Sequence, residues 1–393
     1  MNKLVYACLW VLVVAIPLEN MVVLEGVGTI SRFLGALCLV VGLLALVVER
    51  RGRWPGGVFL ALCFFALWTM TSFFWTVDLE VSKKAIITTL QLLVFFWLIW
   101  EFARDRSRQA GLMHAYVVGA CGSSLATVYA YLHGQYEFYE RYSTRGFDPN
   151  DLGLMLVLAL PMAWHLSWDR DNSRWLRWTA WLYLPLGAVA ILLTGSRASF
   201  LAAMVPVAYI LWSSRRLSWG QVLIGTGVIA LAVLASLKYV PATSWQRLST
   251  IGMELSRGSV GGRGRIWRDG FQVFLEHPLF GVGAGAFRGG LAARFGYQAA
   301  PHNLFLSIMV GLGIVGLGLF LTALYWAIRS LPRMPRSQRH LWIALLVSWF
   351  TGVMTLGWEY RKTTWLLLAL LAVQGAAALE TEIPEPHPAL EEK

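Results

Sequence analysis

Apolar runs of close to twenty residues alternate with short polar breaks along almost the whole chain. About 20 consecutive apolar residues carry a helix across a bilayer. On that measure the pattern predicts about twelve transmembrane helices, near 4–22, 29–48, 54–75, 84–103, 112–132, 151–168, 176–195, 197–213, 218–239, 303–328, 339–357 and 361–379. The expected fold is therefore all-α and polytopic. Nine spans fall within 1–239, a long basic loop with short helices occupies 240–301, three spans fall within 302–379, and 380–393 form an acidic tail. The first run follows only Lys3 and meets no small-residue cleavage site, so it reads as a retained span and not a signal. The tail has prolines and no apolar periodicity, and reads as disordered.

Loop charge adds orientation. One set of alternate loops holds Arg50, Arg51 and Arg53; Arg104, Arg106 and Arg108; Arg170, Arg174 and Arg177; Arg215 and Arg216; and Arg329, Arg333, Arg336 and Arg339. The positive-inside bias puts that set, and both termini, in the cytoplasm. The opposite short loops are poorer in cations, with Lys83, Lys84, Arg361 and Lys362 as exceptions. The loop 240–301 lies outside and is nevertheless basic. Long loops translocate largely regardless of charge, so the topology stands, and the arginines need another reason.

Composition narrows the class. Of 393 residues, 57% are hydrophobic and 14% charged, whereas soluble domains carry roughly a quarter charged. The formal charge of +11 sits in short loops between apolar runs, which excludes a nucleic-acid groove. Cys8, Cys38, Cys63 and Cys121 lie inside apolar runs without metal-ligand spacing and read as small buried hydrophobes. Several tryptophans, among them Trp54, Trp168, Trp175, Trp178, Trp219 and Trp358, sit near helix ends and read as an interfacial belt.

The chemistry concentrates on the outer side. The segment 301–316, PHNLFLSIMVGLGIVG, places His302 and Asn303 at the foot of a long apolar helix, beside the basic loop. Ionisable groups at such positions are costly and functional by default. Nearby arginines disfavour the protonated imidazole, leaving the neutral form that a general base needs. Arg197, in TGSRASFL, lies at a break between two apolar runs on the same side. Arg265 opens a short helix in GRGRIWRDGFQVFLEHP, whose Trp267, Gly270, Phe271, Phe274 and Leu275 share one face and which Pro278 ends. Arg263, Arg268 and Arg288 are further loop candidates. Arginine suits phosphate because it is always charged and donates two hydrogen bonds from one plane. The glycines of GVGAGAF, Gly281, Gly283 and Gly285, lack a surrounding βαβ unit and read as tight turns or close backbone approach. Asp148 and Asp151 in DPND are the first pair to test as metal ligands. Arginines can neutralise a diphosphate without a metal, so neither metal nor cofactor is expected.

These motifs resemble the O-antigen ligase superfamily of bacterial inner-membrane proteins. Its pattern of His, then Asn, Ser or Gln, nine residues and Gly-x-x-Gly is matched by His302, Asn303, Gly313 and Gly316; Arg-x-x-x-Leu is matched by Arg197 and Leu201. Gly264–Phe287 looks like the loop before the family's histidine, and Arg145–Asp151 is similar to an earlier outer-loop motif. The resemblance implies an inverting, metal-independent glycosyltransferase with a periplasmic active site. It would move a glycan from undecaprenyl diphosphate to a sugar hydroxyl of lipid A–core. His302, Arg265 and Arg197 would be catalytic; Arg288, Arg145, Arg263, Asn303 and Asn150 would bind substrate. O-antigen polymerases and protein O-oligosaccharyltransferases use the same donor and remain alternatives; few residues follow the twelfth span, which favours the ligase. A transporter for an anion or lipid-linked glycan would instead need ionisable groups deep in several spans, and the span interiors are mostly apolar.

Overall fold

The computed structural model describes residues 2–21, 23–24, 28–49, 56–135, 141–214 and 263–380, with Gly220 and Gly227 in isolation. Among the described residues are thirteen α-helices: α1 Asn2–Val14, α2 Ile30–Glu49, α3 Gly57–Thr71, α4 Leu79–Phe102, α5 Arg106–Leu132, α6 Pro149–Trp168, α7 Arg174–Leu193, α8 Arg197–Ser214, α9 Arg263–Glu276, α10 Phe287–Phe295, α11 Leu304–Ile328, α12 Arg336–Val353 and α13 Lys362–Glu380. A two-residue antiparallel pair, Val23–Leu24 with Gly28–Thr29, joins α1 to α2. Nine helical segments among the described residues are long and apolar enough to cross a membrane. The protein is thus an all-α polytopic membrane protein. Eleven of the twelve expected spans have a helix in place; 218–239, the loop residues 240–262 and the tail beyond 380 lie outside the described residues. The first helix is shorter than expected, 13 residues, and continues as turns to Met21.

Polar residues set the helix starts by capping amides that have no partner within the helix. Asp78 accepts from Val81 N, Asp105 from Arg108 N, Asp148 from Asn150 N and Asn303 from Leu306 N. α6 is the central post, with 83% of its spanning window buried, against 22% for α2. One core cluster runs through the bundle, and a smaller one joins Val273, Val282, Ala286, Phe287, Leu291 and Val310 under the outer loop.

The α11 helix does not run straight. Gly313 has φ 68° and ψ −170°, a conformation outside the helix. The loop 278–285 threads into the gap. Val282 N donates to Val310 O at 2.9 Å, Gly283 N to Gly311 O at 2.8 Å, Trp68 Nε1 to Leu312 O at 2.9 Å, and Ile314 N to Pro278 O at 2.8 Å. Broken helices survive at membrane depth only where neighbouring protein satisfies the freed backbone groups, and these four bonds do so. The glycines are required by contact: a Cβ on Gly281 would lie 2.5 Å from the Gly311 carbonyl carbon, and one on Gly313 would collide with the Leu279 carbonyl.

Two expectations need correcting. Trp358 is not an interfacial residue: it is fully buried, and its Nε1 donates to Asp151 at 2.9 Å. On α9, Phe271 and Leu275 are exposed, while Asp269, Gly270 and Val273 are buried, with Ile266 and Phe274 packed against the small core. The buried stripe is rotated about one residue from the expected face, because Val273 meets the second core and Asp269 accepts a bond from Tyr297.

Candidate active site at the outer end of the bundle

Five connections meet at one end of the helices. Val77 N bonds Val282 O, Arg141 Nε bonds Thr194 O, Arg361 pairs with Asp151, and Trp267 Nε1 bonds Pro301 O at 3.1 Å. These bonds tie the α3–α4, α5–α6, α7–α8, α9–α11 and α12–α13 connections together. The opposite end holds the arginine-rich loops, linked by Arg106 and Asp169 at 3.1 Å.

His302 stands at the centre of the first end. Its φ of 47° is the one positive value at a non-glycine among the described residues. Such strain costs of order 1–3 kcal/mol and persists only where the surroundings impose it. Here they do: Trp267 holds Pro301 on one side, and Asn303 caps α11 on the other while its Nδ2 reaches Met354 O at 3.4 Å. The imidazole is half-buried, and its pKa lies below the ordinary 6.5. Burial is the main cause; Arg263 and Arg288 push the same way, and Asp148 and Asp151 oppose them. The ring is thus kept neutral at pH 7 between two cations and two carboxylates, the state for accepting a proton from a hydroxyl.

The expected site residues distribute unevenly around it. Arg263 opens α9 and Arg288 lies on α10, exposed, and both act on His302. Arg265 points elsewhere: 78% exposed, with Nε 3.5 Å from Asp269 and its guanidinium 5.1 Å from the Tyr297 ring centroid. Arg268 is exposed as well. Arg197 begins α8 beside Gly195, whose φ is 55°. Arg145 is exposed in the turn before α6. Asn150 is engaged by the protein itself. Its Oδ1 accepts from Arg141 and Ser196, both at 2.9 Å, and its Nδ2 donates to Asp148 at 2.9 Å. Asn150 thereby fixes the 141–151 loop against the α7–α8 break that carries Arg197. Asp148 caps α6, and Asp151 is committed to Trp358 and Arg361.

Sequence reading missed three participants. Arg141, buried, ties Asn150 to the Thr194 carbonyl; it stood in the outer-loop segment without a distinguishing neighbour. Arg361 bridges Asp151 and Glu19, and its signal was its place on the cation-poor side. Glu359 is buried, accepts from the Ser307 hydroxyl at 2.5 Å, and leaves Oε2 without a partner among the described residues. Burial pushes its pKa up to about 7.

At this end of the bundle, then, a half-buried histidine with a lowered pKa lies in the field of two arginines and two carboxylates. Residues 182–321, about a third of the chain, match the family model described as O-antigen ligase. The match runs from α7 to α11 and includes Arg197, Arg263, Arg265, Arg288, His302 and the Gly313 break. Members of this family are glycosyltransferase-like ligases and polymerases, which implies lipid-linked glycan substrates. No curated protein matches the chain.

Proposed function

We propose that the protein is an O-antigen ligase, transferring a glycan from undecaprenyl diphosphate to a sugar hydroxyl of lipid A–core at the periplasmic face of the bacterial inner membrane. The observation that carries this reading is His302, held at φ 47° with its pKa lowered by burial, Arg263 and Arg288. His302 takes the proton from the acceptor hydroxyl as the oxygen attacks the anomeric carbon. The C–O bond to diphosphate breaks, and Arg263 and Arg288 stabilise the charge that develops on the leaving group. Arg197, at the start of α8, extends this positive field to the rest of the donor head. Direct attack inverts the anomeric centre, and the diphosphate leaving group supplies the driving force without a nucleotide. The orientation follows from the arginine-rich opposite end: the positive-inside bias places that end, with both termini, in the cytoplasm.

The test is reconstitution of the full chain with undecaprenyl-diphosphate glycan and lipid A–core, in the presence of a chelator. Wild type is expected to form the joined lipid, and His302→Ala is expected to form none while remaining folded. Glycan extension on the donor, or transfer to a protein, would move the reading to a polymerase or an oligosaccharyltransferase. Rescue of a chelated sample by a divalent ion would overturn the metal-independent step.

A further inference from the structure

Arg361 and Lys362, exceptions to the loop-charge bias, stand at the mouth of a cavity of about 620 Å³. That size lies within the roughly 300–1,000 Å³ typical of ligand sites. Its walls are the faces of two spans. Gly35, Ala36 and Leu39 face it from α2, and Ile87, Val94 and Leu98 from α4. From Ile87 to Leu98 the wall descends roughly 16 Å at about 1.5 Å per residue. The apolar lining therefore reaches well into the membrane, while Glu19, Arg32, Arg361 and Lys362 gather at the outer end. Lys362 pairs with Glu19 at 2.5 Å, and Arg361 with Glu19 at 3.5 Å and with Asp151. Three cations face two carboxylates, which leaves net positive charge over an apolar slot.

This shape fits a lipid with one chain and an anionic head. Asp151 narrows the choice, because it binds Arg361 at the mouth and also acts on His302. Gly357 lines the mouth, and a Cβ on it would lie 3.4 Å from Pro301, the neighbour of His302, so the mouth opens beside the reacting centre. In a glycosyl diphosphate the phosphate is bonded directly to the carbon attacked, whereas the acceptor's phosphates are separated from its reacting hydroxyl by several sugars. We propose that the α2–α4 groove holds the prenyl chain of the lipid diphosphate donor, with its phosphates between the Arg32–Arg361–Lys362 mouth and His302. The identity of the occupant rests on the transferase reading above.

Gly35 allows the test, since a Cβ there would meet nothing within 4 Å. Gly35→Phe fills the slot without displacing a neighbour, and its fold is checked by an unchanged melting temperature. Binding is measured by native mass spectrometry of the full chain, with undecaprenyl diphosphate and with inorganic diphosphate, which has no chain. The expected result is roughly tenfold weaker binding of the long chain only, with KM raised and kcat kept. Arg32→Gln, at an exposed head position, is expected to weaken both ligands a few-fold. Equal long-chain binding by Gly35→Phe and wild type would overturn the groove and leave the transferase reading intact. Absence of undecaprenyl-diphosphate binding by wild type would sink both. Loss of a co-purified phospholipid with unchanged diphosphate binding would overturn the donor as occupant.

Discussion

The two ends of the bundle use charge differently. At the arginine-rich end the ion pairs are short-range or exposed: Arg104 with Glu101 and Arg108 with Asp105 at i,i+3, and Arg106, 61% exposed, with Asp169. At the other end, besides exposed local pairs such as Lys83 with Glu80, three pairs join distant segments and are largely buried: Asp151 with Arg361, and Glu19 with Arg361 and Lys362. That end also holds a strained histidine and a buried carboxyl oxygen with no partner among the described residues. Most arginines at the first end face water, although the Glu101 carboxylate paired with Arg104 is buried. Charge at the second end is desolvated and fixed, a cost of several kcal/mol per ion unless paired. Perturbed, desolvated groups cluster at functional sites.

The largest contrast is in rate. His302→Ala is expected to lower turnover by about 10²–10⁴-fold, the usual contribution of a general base. Arg106→Gln at the other end is expected to leave turnover unchanged. With wild type, the rate rises with pH as His302 loses its proton, and its lowered pKa places the midpoint of that acid limb below 6.5. The pH profile of kcat/KM, which reports the free enzyme, reads it. A midpoint above 6.5, or a limb that persists in His302→Ala, would remove the base assignment.

Next is stability. Asp151→Ala removes the acceptor of Trp358 Nε1 and one of the two partners of Arg361, both inside the folded outer end. Removing one member of a buried pair costs about 3 kcal/mol, read as a lowered melting temperature in detergent. A change within about 0.5 kcal/mol would show that the network is solvated and the comparison between the ends is false.

Much of this was legible beforehand, for uneven reasons. Spans follow from run length, which the bilayer dictates, so eleven helices stand where hydropathy put them. His302 and Asn303 announced themselves as polar residues at the foot of an apolar run. The α11 break was hidden: GLGIVG is apolar throughout and reads as continuous helix, and only the intruding 278–285 loop, remote in hydropathy, shows why Gly313 is needed. Close backbone approach was rightly expected of Gly281 and Gly283, but their partners were not readable. Trp358 looked interfacial because position near a helix end does not reveal a buried acceptor 207 residues earlier. Arg265 looked strongest because it opens a helix, while the charges acting on His302 come from Arg263 and Arg288, whose positions depend on how α9 and α10 pack.

An effect of similar size separates the ends by pH. Glu359 has a folded pKa of about 7, raised by burial above its ordinary 4.5. A raised carboxyl pKa means that the folded state binds the proton more tightly than the unfolded one. Its contribution is fully present below pH 4.5 and is lost as pH rises through 7, by up to about 3 kcal/mol. Unfolding followed from pH 5 to 8 is expected to show this decline, and Glu359→Gln to flatten it while keeping an acceptor for Ser307. A decline of equal slope in the variant would assign it to other groups.

The smallest effect is the control on which the comparison rests. Arg106 and Asp169 join two loops at 3.1 Å, yet the guanidinium is mostly exposed. Solvent screens such a pair, and its worth is about 0–1 kcal/mol. Arg106→Gln is expected to shift the melting temperature only marginally, and 1 M salt to remove what shift there is, since the screening length falls to about 3 Å. What the substitution should change is insertion: with Arg104 and Arg108 also replaced, the α4–α5 loop loses its share of the inside-positive bias. Cysteine labelling from the outer side would then reach this loop in a fraction of molecules. Unaltered labelling, with a melting temperature lowered as far as in Asp151→Ala, would mean that both ends hold their charges for the same structural reason.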